Sequence, residues 1–171
     1  SRMDDRPVRI QGDRPLDATL THPDATACVV ACPPHPEYGG SRRDTRLRAV
    51  GKALGEVGIA CLRFDYGPWD GGAGEQTDIK RAITWARTEF DSVGLFGYSF
   101  GASLAILVAP TVSIDALGVL APAATTEGFS VTAAVSELPH SVPLCIIIGT
   151  RDTTVDWEPV VKAARNRDAR T

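Results

Sequence analysis

Gly97-Tyr98-Ser99-Phe100-Gly101 places a serine midway between two glycines, in the pattern G-x-S-x-G. Apolar residues 93–96 run into it and apolar residues 102–108 run out of it. That order predicts a strand, a sharp reversal and a helix. A reversal so tight strains the residue at its apex, and glycine two places to either side removes side chains that would collide across it. Ser99 would then stand above the carboxyl ends of the strands, where open α/β sheets bind ligands. It would also sit at a helix N-terminus, where N–H donors stabilise a developing anion. The chemistry on offer is nucleophilic attack on a carbonyl carbon. The plainer reading is a glycine-rich turn with a passive serine.

A serine hydroxyl is a weak nucleophile until a base takes its proton and a carboxylate orients that base. Gly149-Thr150-Arg151-Asp152 directly follows the apolar run 144–148. Asp152 is therefore expected at the same sheet edge as Ser99, with a helix or turn cap as its competing use. Asp156 is a weaker rival for the acid. The chain holds 3 histidines, His22, His35 and His140. His140 precedes the strand that leads to Asp152, a strand of about 23 Å at 3.3 Å per residue, so it belongs at the opposite edge. His22 precedes the strand over residues 27–32 and fails for the same reason. His35 follows that strand, lies at the correct edge and is the base candidate within the chain; shaping the loop or touching substrate is its alternative use.

The elements that must position these residues alternate along the sequence. Residues 7–10 and 16–21 read as an edge hairpin around Gly12-Asp13. Ala-Cys-Val-Val-Ala-Cys at 27–32 is a buried strand closed by Pro33-Pro34. Leu47, Val50, Leu54 and Val57 recur at helical spacing, and Gly58 ends that helix. Residues 59–64 form the next strand, followed by the loop Asp65-Tyr66-Gly67-Pro68-Trp69-Asp70. Ile79, Ala82, Ile83, Ala86 and Phe90 mark one face of a second helix. Residues 114–120 and 144–148 are strands, and Glu158-Pro159 opens a last helix. The segment 121–142 is a long loop with a helical turn at 131–135, and it is the one candidate for a small cap. Such alternation predicts a three-layer α/β/α sandwich with a mostly parallel sheet, built as one domain over residues 1–171.

Composition narrows the class. The chain has 171 residues, 43% of them hydrophobic and 23% charged, with a net charge of −3. These values are ordinary for a soluble globular protein. Arg42, Arg43, Arg46 and Arg48 read as one solvated helix side, so nucleic acid is not an expected partner. No apolar stretch approaches the roughly 20 residues of a membrane helix, and no secretory signal opens the chain. Cys28, Cys32, Cys61 and Cys145 all sit in apolar stretches. Cys28 and Cys32 lie about 13 Å apart along one strand, beyond disulfide reach. Four buried reduced thiols and a cytoplasmic home follow as expectations. No His, Cys and carboxylate cluster has metal-ligand spacing.

With these segments in hand, the chain resembles the α/β-hydrolase superfamily, in particular its small dienelactone-hydrolase-like members. Residues 29–40, with Pro33-Pro34-His35-Pro36, are similar to that group's histidine- and proline-rich loop. Residues 62–75 resemble its next strand and loop, while Gly-Tyr-Ser-Phe-Gly and Gly-Thr-Arg-Asp resemble its nucleophile and acid segments. The resemblance implies Ser99 as nucleophile and Asp152 as acid. It implies the backbone N–H groups of Phe100 and His35 as the oxyanion hole. The family's histidine follows the acid after one more strand, and no histidine follows His140 here. The fold is thus expected to lack its last strand and helix. Either a segment outside these residues carries the base, or the base has been lost and the fold kept. An uncovered sheet edge would invite a partner.

Among other residues, Tyr98 and Trp69 are pocket-lining candidates, with core packing an equal alternative for Tyr98. Trp85 reads as helix–sheet packing. Glu75 and Asp78 read as charge favouring a helix N-terminus. The expected activity is hydrolysis of a small ester, lactone or related acyl substrate through an acyl-enzyme on Ser99. The alternative is a non-catalytic binding or structural protein of the same fold. No cofactor is expected. The expected partners are a small-molecule substrate and a second copy of the chain, with neither nucleic acid nor membrane.

Overall fold

The computed structural model describes residues 5–149 and 156–168. Arg6–Ile10 (β1) and Leu16–Thr21 (β2) form the antiparallel hairpin, and β2 alternates buried and exposed residues as a one-faced strand should. Ala27–Cys32 (β3) and Ala60–Phe64 (β4) carry near-continuous apolar runs and pair in parallel at the centre. Ser92–Tyr98 (β5), Leu117–Leu120 (β6) and a strand at Leu144–Ile147 extend the parallel sheet.

Thr45–Glu56 (α1) starts at Asp44, whose carboxylate accepts the N–H groups of Arg46 and Leu47. Ala73–Glu89 (α2) starts at Gly72, and Glu75 reaches back to accept the Gly72 N–H at 2.8 Å. Phe100–Val108 (α3) follows the turn at Ser99. Within 121–142 the helical turn expected at 131–135 is a helix, Val131–Glu137 (α4), while the stretch before it, expected as loop, holds a two-stranded ribbon, Thr125–Thr126 (β7) with Phe129–Ser130 (β8). The strand at Leu144–Ile147 is then β9, and Glu158–Asp168 is α5.

The sheet order is β1-β2-β4-β3-β5-β6-β9, with β1 and β9 at its edges among the described residues. Residues of α2, α3, α4 and α5, from Ile79 and Leu104 to Val131 and Val160, share one core on one face. On the other face Leu47 of α1 packs on Ala31 and Cys61. The architecture is the three-layer α/β/α sandwich. Burial along α2 follows the expected stripe, with Ile79, Ala82, Ile83, Ala86 and Phe90 all inside. The α1 stripe does not: Leu47 is fully buried, but Val57, the residue that caps the helix after Glu56, is 71% exposed. Cys145 is a second correction. It lies exposed on edge strand β9, while Cys28, Cys32 and Cys61 are buried free thiols. Strand β6 is shorter than expected because Asp115 turns its carboxylate to the Val93 N–H at 2.9 Å. No helix of the described residues is long and apolar enough to cross a membrane.

Candidate active site

Ser99 has φ 58° and ψ −117°, a conformation that a residue with a side chain occupies only under strain. The surroundings fix it there. Its N–H donates to the Leu120 carbonyl at 2.8 Å, and its carbonyl accepts the Ser103 N–H at 3.1 Å. Both flanking glycines are steric requirements. A Cβ on Gly97 would sit 2.2 Å from the Gly101 carbonyl oxygen, and one on Gly101 would sit 2.2 Å from the Cys32 carbonyl oxygen. The second contact brings the first turn of α3 against the end of β3. Ser99 is half-buried, and its hydroxyl makes no hydrogen bond among the described residues.

Two backbone N–H groups of this region have no acceptor among the described residues. Phe100 is the first residue of α3, so its N–H has no acceptor within the helix. In Pro33-Pro34-His35-Pro36-Glu37 the prolines have no N–H to give. The Glu37 N–H is taken by His35 Nδ1 at 3.2 Å, which leaves the His35 N–H as the open donor of that stretch. The loop is folded back on itself: the His35 carbonyl accepts the N–H groups of Tyr38 at 3.1 Å and Gly40 at 2.9 Å. The His35 ring makes tilted contacts with Trp69 and Phe100, with centroids 4.4 and 4.5 Å away. Tyr66 ties the loop from below, donating its hydroxyl to the Pro33 carbonyl at 2.8 Å. Burial holds the Tyr66 hydroxyl well above the usual phenol range, so it remains a neutral donor.

The imidazoles are placed as follows. His35 presents Nε2 to Glu127 Oε1 at 3.5 Å and has Nδ1 occupied by Glu37, so neither ring nitrogen bonds Ser99. His22 follows Thr21, which pairs with Cys61 at the amino end of the parallel strands, and His140 precedes β9. Both lie away from the Ser99 edge. Asp152 lies outside the described residues. Asp156 is exposed, and its carbonyl accepts the Ala124 N–H at 2.8 Å. Trp69 contacts both the His35 and Phe100 rings, but Tyr98 does not join them. Its ring packs on the Ala31–Leu47–Cys61 cluster, with the Arg46 guanidinium 4.6 Å above it, so packing is the use the structure gives it. Two residues apart on one strand, Tyr98 and Phe96 share a face, and that phase is the sequence signal for the α1 side.

The loop that carries Trp69 rests on a buried ion cluster that the sequence reading did not assemble. Glu75 and Asp78 are fully buried. Arg14 bridges them, at 3.0 Å to Glu75 Oε2 and 2.9 Å to Asp78 Oδ1. Glu75 also accepts the Asp70 N–H, and Asp78 the Gly67 N–H, each at 2.9 Å. Hydrogen bonding to Asp78 holds the Arg14 guanidinium firmly in its charged form. The two carboxylates therefore frame the loop around Pro68 and Trp69. Among the described residues no group of His, Cys, Asp and Glu could hold a metal ion.

The sequence matches no family model and no curated protein. Solved structures do match. An α/β serine hydrolase without a lid from Xanthomonas campestris is 26% identical, with a TM-score of 0.79 over 95% of this chain and 79% of that one. An α/β serine hydrolase homologue from Coxiella burnetii is 29% identical, with a TM-score of 0.80 over 94% of this chain and 81% of that one. A dienelactone hydrolase from Anabaena variabilis, 21% identical, shares the fold with a TM-score of 0.66 over 96% of this chain and 95% of that one. The serine turn, the sheet order and these likenesses agree, and the chain belongs to the α/β-hydrolase superfamily.

Proposed function

We propose that the protein is a serine hydrolase acting on a small ester, lactone or related acyl substrate through an acyl-enzyme on Ser99. The observation that carries this reading is the posture of Ser99, strained, half-buried and unbonded at its hydroxyl, beside the open N–H of Phe100. In the first half-reaction the Ser99 oxygen bonds to the carbonyl carbon while its proton passes to a base. The carbonyl oxygen becomes an anion held by the N–H groups of Phe100 and His35. The intermediate then collapses, the alcohol leaves with the proton, and the acyl group stays on Ser99. Water repeats the sequence and frees the acid. This route draws on no cofactor or metal.

Asp152 is the proposed acid. The base is either His35, after its ring turns from Glu127, or a histidine carried by sequence outside these residues. Trp69, Phe100 and the His35 ring form the aromatic wall the substrate would meet. The neighbour from Xanthomonas campestris has no lid, and a site open in that way suits a small soluble substrate.

The absence of an imidazole bonded to Ser99 among the described residues favours a second reading, a binding protein that keeps the fold without turnover. One experiment separates the two. Brief exposure to p-nitrophenyl acetate, followed by intact-mass and peptide analysis, should place one acetyl group on Ser99 and none on Ser99→Ala. A folded chain that takes no acetyl group at Ser99 supports the binding protein.

A further inference from the structure

A cleft on the α1 face lies apart from the serine site. It runs between α1 and β2, has a volume of about 660 Å³, and is lined by His22, Arg48, Lys52, Arg63, Asp5 and Glu56 among others. That volume falls in the range of small-molecule sites. The residue that sets it apart is Arg63. Every residue of β4 is buried, and Arg63 is only 7% exposed. Its Nη1 donates to the Arg42 carbonyl at 2.6 Å, its Nε has no partner, and it makes no ion pair among the described residues. A buried guanidinium without a carboxylate is costly, and such a group calls for an explanation.

The surrounding charge sharpens the point. Burial lowers the Arg63 guanidinium's hold on its proton, and the like charges of Arg48 and Arg42 lower it further, against the pull of Asp5. Arg48 and Lys52 are exposed on α1 and make no ion pair among the described residues. With histidine uncharged, the three cations Arg48, Lys52 and Arg63 outnumber the two acids Asp5 and Glu56 by one. A singly charged anion therefore leaves the cleft neutral. Ala49, Gly51 and Gly55 make the α1 wall low and apolar.

We propose that this cleft binds a small organic carboxylate, its head group on Arg63 between Arg48 and Lys52, and its apolar body along the α1 wall. The site is separate from Ser99 and does not depend on turnover there. The test is calorimetric titration of the 171-residue chain with benzoate, and with inorganic phosphate, at fixed ionic strength. Benzoate should bind saturably and more tightly than phosphate. Arg48→Gln with Lys52→Gln, both surface changes, should weaken it at least about tenfold, whereas Ser99→Ala should leave it unchanged. Arg63→Met should abolish it if that variant folds, and the surface pair decides the matter if it does not. Benzoate heats that never saturate, an affinity indifferent to the Arg48 and Lys52 changes, or tighter binding of phosphate would each overturn the proposal.

Discussion

Tyr66 and Pro33, 33 residues apart in sequence, are joined by a hydrogen bond of 2.8 Å from the phenol to the carbonyl. The bond fastens the loop that holds the open His35 N–H to the strand–loop segment that presents Trp69. Tyr66→Phe keeps the ring packing against Phe64 and Phe100 and removes only the donor. A carbonyl left unsatisfied costs about 1–3 kcal/mol, and each kcal/mol lowers Tm by roughly 2–4 °C in a chain of this size. Thermal unfolding should show that loss, together with slower acylation of Ser99. An unchanged Tm and rate would mean that the bond does not position the loop.

The glycines around Ser99 give a sharper contrast. Gly97→Ala and Gly101→Ala each drive a Cβ to 2.2 Å from a carbonyl oxygen, whereas Gly118→Ala meets nothing closer than Phe96 Cδ1 at 3.6 Å. The first two should give unfolded or inactive protein and the third should behave as wild type in circular dichroism and melting. Tolerance of alanine at Gly101 would contradict the close approach of α3 to the end of β3.

Much of this was legible in the sequence because it is local. The G-x-S-x-G pattern, the proline stop after β3 and the apolar stripe of α2 each lie within one element, and all appear in the structure. What could not be read is non-local or short. Arg14 meets Glu75 and Asp78 from 61 and 64 residues away, and no periodicity links them. The ribbon of β7 and β8 has only two residues in each strand, too few for a pattern. Cys145 sits in an apolar run, yet among the described residues β9 is an edge strand with Cys145 and Ile147 exposed, so composition alone misjudges its burial.

The Arg14 cluster carries its own prediction. Arg14→Met leaves two buried carboxylates without their cation, a change of roughly 3–5 kcal/mol. Urea unfolding should show a loss of that order. A loss below about 1 kcal/mol would place the cluster among surface ion pairs of little consequence.

The thiols set an alkaline limit. Burial pushes Cys28 and Cys61 up to about 12 from an ordinary 9.0, and it raises Cys32 as well. A raised thiol keeps its proton in the folded chain while the unfolded chain loses it. Their stabilising contribution is therefore complete below pH 9.0 and drains away as pH climbs toward about 12. Tm should fall over that window, and less steeply in a Cys28→Ala, Cys61→Ala variant. In the native state a thiol reagent should modify Cys145 quickly and the other three only on unfolding; rapid reaction of all four would contradict their burial.

In the proposed mechanism the bend at Ser99 offers an activated hydroxyl to an electrophile. Labelling of the folded chain with a fluorophosphonate, with the adduct located by peptide mass spectrometry, tests it most directly. One adduct is expected, on Ser99, absent in Ser99→Ala and slowed in Tyr66→Phe. A folded chain that stays unlabelled, or that carries the adduct on another residue, would contradict it.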